Sequence, residues 1–405
     1  VSHSLLINPT ALEAGIEAQF VSRIRASEDQ RKAFMRFVET GLPHRRVEGW
    51  RWSDFRAAAA IASKLEKHTG INPFADIEAI EIQLTDDGYV VDGAVKGVET
   101  LECDPFSSEI VASHHPIAAL NEAMTQRALN IRISTGAVIL KPILIRDLRT
   151  AASSFAQIKL DVGPGARVSV AQSLESSSDL QSLVCTISVE PSAKVEHFLL
   201  GGLDGDGLTH LLNAVTVQER GAYHSTSLST GGRLARMETH LTYGGVHAEA
   251  TINSAALLSG DRHADFTTNV IHNAESCVTR QIHKGVARDR GRAVFQGKFL
   301  VNRPAQKTDA QMTANALLLS DTAEANHKPE LEIYADDVEC AHGSTAGALN
   351  EEALFYMRQR GLDEATARGL LIEAFVAEAF DAVEHGGVAE VFRKSVAAWL
   401  AKVRS

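Results

Sequence analysis

The most constraining feature of this sequence is a long stretch that cannot be helical. Between residues 151 and 300 no helical period is sustained, and short apolar/polar alternations dominate. Ile158, Leu160 and Val162 share parity. So do Leu183, Cys185, Ile187 and Val189, and later Phe295, Phe299 and Val301. Residues of one parity line one face of a strand. Turn clusters punctuate these runs: Gly163-Pro164-Gly165, Glu190-Pro191-Ser192, Glu219-Arg220-Gly221, Tyr243-Gly244-Gly245, His272-Asn273-Ala274 and Asp289-Arg290-Gly291. The first five recur at 27, 29, 24 and 29 residues, counted from first residue to first residue. So much strand and turn without a helix means a sandwich, a barrel or a solenoid. The loose period suits stacked coils. The low aromatic content (6%) favours the same choice, because coil ladders of Val, Ile, Leu, Ala and Thr need few large rings. The reading is therefore a mainly β chain whose centre, 131–347, is a parallel β-helix.

Both flanks read differently. In the first 70 residues Ser27-Glu28-Asp29-Gln30 forms a capping box, and Phe34, Phe37 and Val38 form one apolar stripe. Gly41 and Pro43 end that helix. Trp50 and Trp52, before an alanine-rich stretch, are expected to pack a helical segment onto its neighbour. Residues 71–130 are mixed: Ile80, Ile82 and Leu84 alternate, Gly88 and Gly93 mark turns, and His114-His115-Pro116 is a loop before a helix over Ile117–Leu129. After 347 the helical period returns. Asn350 caps a helix with Glu351 and Glu352 in its first turn, and Gly361 ends it. Asp363 caps the next, with Leu371, Phe375, Ala379, Ala382 and Val383 on one face and Gly386-Gly387 as its breaker. Val388, Val391, Phe392, Trp399 and Val403 mark a last helix. The expected domains are 1–130 (helical and mixed), 131–347 (β-helix) and 348–405 (helical).

Composition excludes several functions. Forty Lys and Arg against 51 Asp and Glu give a net charge of −11, which argues against a nucleic-acid binder. The longest apolar stretches, Ala57–Ala62 and Ala137–Leu140, fall far short of a membrane span. Val1-Ser2-His3-Ser4-Leu5 has neither the charged nor the apolar region of a signal peptide. Cysteines 103, 185, 277 and 340 form no CxxC, so no zinc ribbon, ferredoxin loop or thioredoxin motif is present. Few, scattered cysteines fit a reducing cytoplasm.

Catalytic motifs fail one by one. Gly291–Phe299 has five residues between its glycines and no hydroxyl after Lys298, so it is no P-loop. Gly205-Asp206-Gly207 lacks the third glycine of a dinucleotide loop, and Asp204 and Asp206 lack the spacing of a calcium loop. No HExxH occurs, and Gly343-Ser344-Thr345-Ala346-Gly347 is not GxSxG. His240, His247, His263, His272 and His283 have no i, i+2 or i, i+4 spacing and are expected as polar residues on coil surfaces. One segment is denser: Asp336-Asp337-Val338-Glu339-Cys340-Ala341-His342-Gly343. On an extended strand Cys340 and His342 share a face, ~6–7 Å apart along the strand. Thiol and imidazole suit iron or zinc. Two donors do not complete a site, so either a partner supplies the rest or the pair is structural.

Four blocks then carry a resemblance: Ala305-Gln306-Lys307-Thr308-Asp309-Ala310, Asn315-Ala316-Leu317-Leu318-Leu319-Ser320, the run from Lys328-Pro329-Glu330-Leu331 through Cys340-Ala341-His342-Gly343, and Leu354–Gly361. Near the front, Gly41-Leu42-Pro43, Arg45-Arg46, Glu48, Trp50 and Phe55 resemble a Leu-Pro-x-Arg-Arg…Glu-x-Trp pattern. Together these resemble the SufB/SufD family of iron–sulfur cluster assembly proteins. Cys-Ala-His-Gly in place of Cys-Glu-His-Glu, with a shorter chain, is similar to the family's D-type subunit.

The resemblance implies a right-handed parallel β-helix between helical ends. It implies a cytoplasmic scaffold complex with a SufB-type subunit and SufC-type ABC ATPases, the ATPases docking on the C-terminal helices. A transient Fe–S cluster would form where two β-helix ends meet, with His342 favoured over Cys340 as a metal-site residue. It implies no enzyme activity and no stably bound cofactor in this chain, with reduced flavin in the complex at most. A B-type or homodimeric scaffold is the alternative. A polysaccharide-acting β-helix enzyme would call for a secretion signal, which is not seen.

Overall fold

A computed structural model describes residues 5–23, 26–61, 72–107, 115–175, 178–202 and 206–404. His114, Asp204 and Gly205 lie outside the described residues, as does the Val403 side chain. The molecule is a β-solenoid of about seven turns with helices at both ends.

The strands run in chain order. First come β1 (Ile80–Thr85), β2 (Gly88–Asp92), β3 (Val98–Cys103), β4 (Ala128–Ile133) and β5 (Ile143–Asp147). Then follow β6 (Ser153–Val162), β7 (Arg167–Leu174), β8 (Leu180–Val189), β9 (Lys194–Gly201) and β10 (Leu208–Val217). The next are β11 (Ala222–Ser229), β12 (Leu234–Tyr243), β13 (Glu249–Leu258), β14 (His263–His272) and β15 (Val278–Ala287). The last are β16 (Arg292–Val301), β17 (Asp309–Leu318), β18 (Glu324–Ile333) and β19 (Glu339–Gly347). Odd strands from β5 to β19 build one sheet and even strands from β4 to β18 the other, every pairing in those runs being parallel. At the far end β1 joins β5 in parallel, and antiparallel β2 and β3 close the two edges. The segment before 131 thus contributes strands to the same sheets.

Two corner columns explain the period. Gly165, Ser192, Arg220, His247, Ser276 and Lys307 all have φ between 53° and 66°, at spacings of 27, 28, 27, 29 and 31 residues. Each donates its N–H to a carbonyl of the following coil: Gly165 to Pro191, Ser192 to Glu219, Arg220 to Val246, His247 to Glu275, Ser276 to Gln306, Lys307 to Asp337. The irregular step of 24 in the sequence arises because Tyr243-Gly244-Gly245 precedes the left-handed residue, His247. The opposite corner repeats at Gly202, Gly231, Gly260 and Asp289, each 29 residues after the last.

In-register stacking makes interior columns. One runs Ile143, Val170, His197, Ser225, Ile252, Gln281, Met312, His342. Aliphatic and aromatic residues from every coil form the main core inside the solenoid. Helices cover the outer faces. α1 (Ala11–Val21), α2 (Glu28–Thr40), α3 (Phe55–Ala59) and α4 (Pro116–Met124) bury Ile16, Phe34, Phe37, Trp50, Phe55 and Leu120 against Leu180, Leu208 and Leu234 of the even sheet. α5 (Glu351–Gln359), α6 (Glu364–Ala377) and α7 (Gly386–Arg404) follow the solenoid. From α6 and α7, Ile372, Val376, Val388 and Phe392 cover Phe198, Leu228, Leu257 and Val286 of the odd sheet. Trp50 packs as its sequence position suggests.

The caps form where the sequence signals them. The Ser27 hydroxyl accepts from the Gln30 N–H at 3.1 Å, and the Gln30 side chain accepts from the Ser27 N–H at 3.0 Å. Asn350 and Asp363 accept from Ala353 and Thr366 N–H at 3.0 and 2.9 Å. Two helix boundaries differ from expectation. α4 stops at Met124, and Leu129 lies in β4, because pairing of Ala128–Ile133 with β6 outweighs local helical pattern. α6 ends at Ala377, before Ala379, Ala382 and Val383. Phe380 turns back there and stacks on Phe392 at 5.0 Å between ring centres. Gly386-Gly387 therefore opens α7 rather than breaking α6.

Candidate functional site

The strand pairing leaves one end of the solenoid open. β18 and β19 are the outermost strands of their sheets, so each offers an unpaired backbone edge. Cys340 and His342 sit in β19 directly over Ala310 and Met312, both buried in the core. The two candidate ligands thus occupy inward-facing register positions in a coil that no further coil covers. His342 is exposed, and Cys340 is half-buried against the core. Burial pushes the Cys340 thiol up, so it is a protonated thiol at neutral pH rather than an activated thiolate. On β18, Ile333 is exposed beside Tyr334, 41% and 53% respectively.

The acidic half of the dense segment separates from this pair. The Asp337 carbonyl accepts from Lys307 N–H at 2.6 Å, and its own N–H donates to the Gln306 side chain at 2.9 Å. Asp336 and Asp337 therefore belong to the corner, and only Cys340 and His342 to the strand. Gly343–Gly347 completes the same strand, and Gly291–Phe299 leads into β16, so neither builds a nucleophile elbow or a phosphate loop. Gly207 leads into strand β10, not a helix, which does not fit a dinucleotide cradle.

A second polar cluster was not legible in the sequence. His115, His210 and Glu238 bring their donor atoms within 4.8 Å of one another between the N-terminal helices and the even sheet. His115 is more than a loop residue: it caps α4. Its Nδ1 accepts from the Ala118 N–H at 3.1 Å, so its Nε2 carries the proton and donates to Glu238 at 2.8 Å. Arg236 reaches the Glu238 carboxylate at 2.9 and 3.1 Å and Asp265 at 2.8 Å, while lying 3.9 Å from the centre of the Trp50 ring. Ser53 adds a hydrogen bond to Asp265. Burial pushes the Glu238 carboxyl up, but Arg236 and His115 more than offset this and hold it well below the usual range. Its oxygens are thus already occupied, and a cation there would lie against a guanidinium. These donors do not fit a divalent metal. They clamp the N-terminal segment to the solenoid.

Three of the five histidines expected on coil surfaces depart from that expectation, while His247 is exposed as expected. His263, His272 and His283 are buried rather than spread over coil surfaces, because their register positions face inward or under the helices. His283 accepts or donates at 2.8 Å to Ser254 and stacks on Phe295, and His272 meets Thr279 at 3.2 Å. His247 forms a corner, and His240 lies 3.4 Å from Glu238. All four cysteines are free.

Stacked parallel coils with an open, thiol- and imidazole-bearing end, flanked by helices, define a β-solenoid protein with helical ends. Residues 145–375 match the SufBD core domain of the SUF system of Fe–S cluster assembly, and the chain belongs to that family. It is 28% identical over 383 residues to the iron–sulfur cluster assembly protein SufD of Escherichia coli, covering 90% of each chain. A SufBD family protein of Synechocystis is 33% identical over 202 residues, 50% of this chain and 45% of that one. A SufBD family protein of Staphylococcus saprophyticus is 22% identical over 306 residues, 73% of this chain and 66% of that one. Among the described residues no helix is long and apolar enough to cross a membrane.

Proposed function

We propose that this chain is a non-catalytic, D-type subunit of a cytoplasmic Fe–S cluster scaffold. It pairs through its open coil with a SufB-type subunit. A cluster, as cargo, forms at the seam with His342 as one donor and Cys340 as a secondary one. The observation that carries this reading is the exposure of His342 in a column whose seven other members lie inside the solenoid. An end-on partner would cover two strand edges and that column at once. Donors split between two chains suit a site that must release what it builds, since parting the chains breaks the ligand set.

SufC-type ATPases dock on the C-terminal helices in this reading. Phe355 and Tyr356 on α5 are 63% and 59% exposed, and Leu370 on α6 is exposed as well. Such rings outside a core suit a partner surface. We assign no flavin to this chain.

Co-expression with a SufB-type subunit and a SufC-type ATPase tests the assignment. The chain should co-purify with both. Ile333→Asp should reduce recovery of the B-type subunit alone, and Phe355→Asp that of the ATPase alone. Recovery of both partners unchanged in both variants would refute the two surfaces.

A further inference from the structure

A large cavity reaches the last coil only at the corner before β18, through Asp321–Glu324, and does not include Cys340 or His342 of β19. It has a volume of about 1310 Å³ and sits between α3 and the corner of the solenoid that carries Gly231 and Gly260. In a chain of net charge −11, six arginines line it: Arg45, Arg51, Arg233, Arg262, Arg290 and Arg292. Arg233 is paired with Asp206 at 3.1 Å, Arg290 with Asp261 at 2.8 Å and Arg292 with Glu324 at 2.8 Å. The last two pairs are solvent-exposed, where ion pairs contribute little, so an incoming anion can take over their guanidinium groups. Arg45 and Arg51 make no side-chain ion pair among the described residues, and Arg51 leans over the Trp52 ring at 5.7 Å. Asp54, also in the wall, is committed to capping α3 through the Ala57 N–H at 2.8 Å.

The wall also contains an unsatisfied polar group. His263 is 8% exposed, and its Nε2 has no hydrogen-bond partner among the described residues. It stands in register beside Arg292. Burial keeps the imidazole neutral, so it can offer one N–H without adding charge.

We propose that this cavity is a binding site for a small polyanion carrying two or more phosphate or carboxylate groups. Arginine forks match the planar oxygen pairs of both groups. The volume exceeds what one inorganic phosphate fills and matches or exceeds ordinary small-molecule sites, which span roughly 300–1,000 Å³. Its arginines all lie outside β18 and β19 and its wall excludes Cys340 and His342, so failure of this site leaves the scaffold reading untouched.

Titration calorimetry of the full chain with inorganic pyrophosphate, and separately with citrate, tests this. The expected result is saturable binding of at least one probe at one per chain. Affinity should fall at least tenfold in the R45Q/R51Q variant and should fall with rising salt. Arg45 and Arg51 are exposed, so the variant should keep its fold, checked by circular dichroism. If it does not, Arg290→Gln, also exposed, replaces it. Arg127→Gln, outside the cavity, should bind like the parent. Pyrophosphate binding alone assigns a phosphate ligand, and citrate binding alone a carboxylate one. No saturable binding of either probe, or undiminished affinity in the groove variants, overturns the proposal.

Discussion

Met312 and His342 hold the same register position on neighbouring strands, yet Met312 is 1% exposed and His342 is open to solvent. One coil makes the difference. β19 covers Met312, and among the described residues nothing covers His342. A position built as core therefore carries an imidazole at the surface, where a partner can reach it.

The two residues should respond oppositely to truncation. Met312→Ala removes a buried side chain and should cost about 2–5 kcal/mol. His342→Ala removes an exposed one and should stay within about 0.5 kcal/mol of the parent. Urea unfolding of both variants checks this. A His342 variant as destabilised as the Met312 variant would make His342 a structural residue.

Arg236 secures the N-terminal segment. Arg236→Met leaves the Glu238 and Asp265 carboxylates buried without their cation and should cost about 3–5 kcal/mol. Adding Glu238→Leu to that variant should recover part of the loss, because one uncompensated charge disappears. No recovery in a double-mutant cycle would show that the clamp is not electrostatic.

Buried imidazoles set the acid limit. Burial lowers His197 and His263 to about 3 and His210 and His272 to about 4, from an ordinary 6.5. The unfolded chain takes up these protons near pH 6.5 while the folded chain refuses them. Stability is therefore whole above about 6.5 and falls as pH drops from there toward 4. Each such histidine contributes a slope of about 1.4 kcal/mol per pH unit in that window. Urea midpoints at pH 8, 6 and 5 should decline in that order. A midpoint that rises on acidification would contradict the buried, neutral state.

Corner glycines should differ in a graded way. Gly202 and Gly260 both have positive φ, 71° and 65°, so alanine strains the backbone at either. At Gly202 a Cβ would also stand 2.0 Å from the Gly231 carbonyl oxygen, whereas at Gly260 nothing lies within 4 Å. Gly260→Ala should cost about 1 kcal/mol. Gly202→Ala should cost several times more, read as a larger drop in melting temperature. Equal drops would mean that the corner backbones do not touch as described.

What the sequence revealed follows from how local each signal is. Gly165, Ser192, Arg220 and His247 recur because every coil needs a left-handed corner, and corner chemistry is written within a few residues. The capping box at Ser27 and the caps at Asn350 and Asp363 are equally local. Cys340 and His342 were found because they are two residues apart on one strand. The Trp50–Arg236–Glu238–His115 clamp was hidden because its members come from three distant segments that only the tertiary fold assembles. His272 and His283 were misplaced for a related reason. Solenoid interiors accept a polar residue when the next strand or the neighbouring coil satisfies it, as Thr279 does for His272 and Ser254 for His283, and no single strand shows that. α6 ended early because Phe380 found Phe392, a contact the helical period does not encode.

The most direct measurement is the iron and acid-labile sulfide content of the chain co-purified with SufB-type and SufC-type partners, with and without His342→Ala. The variant should fold by circular dichroism and hold both partners, yet lose nearly all iron and sulfide, while Cys340→Ala loses less. A correctly assembled His342→Ala complex with parental iron and sulfide would contradict a donor role for His342 at the open end of the solenoid.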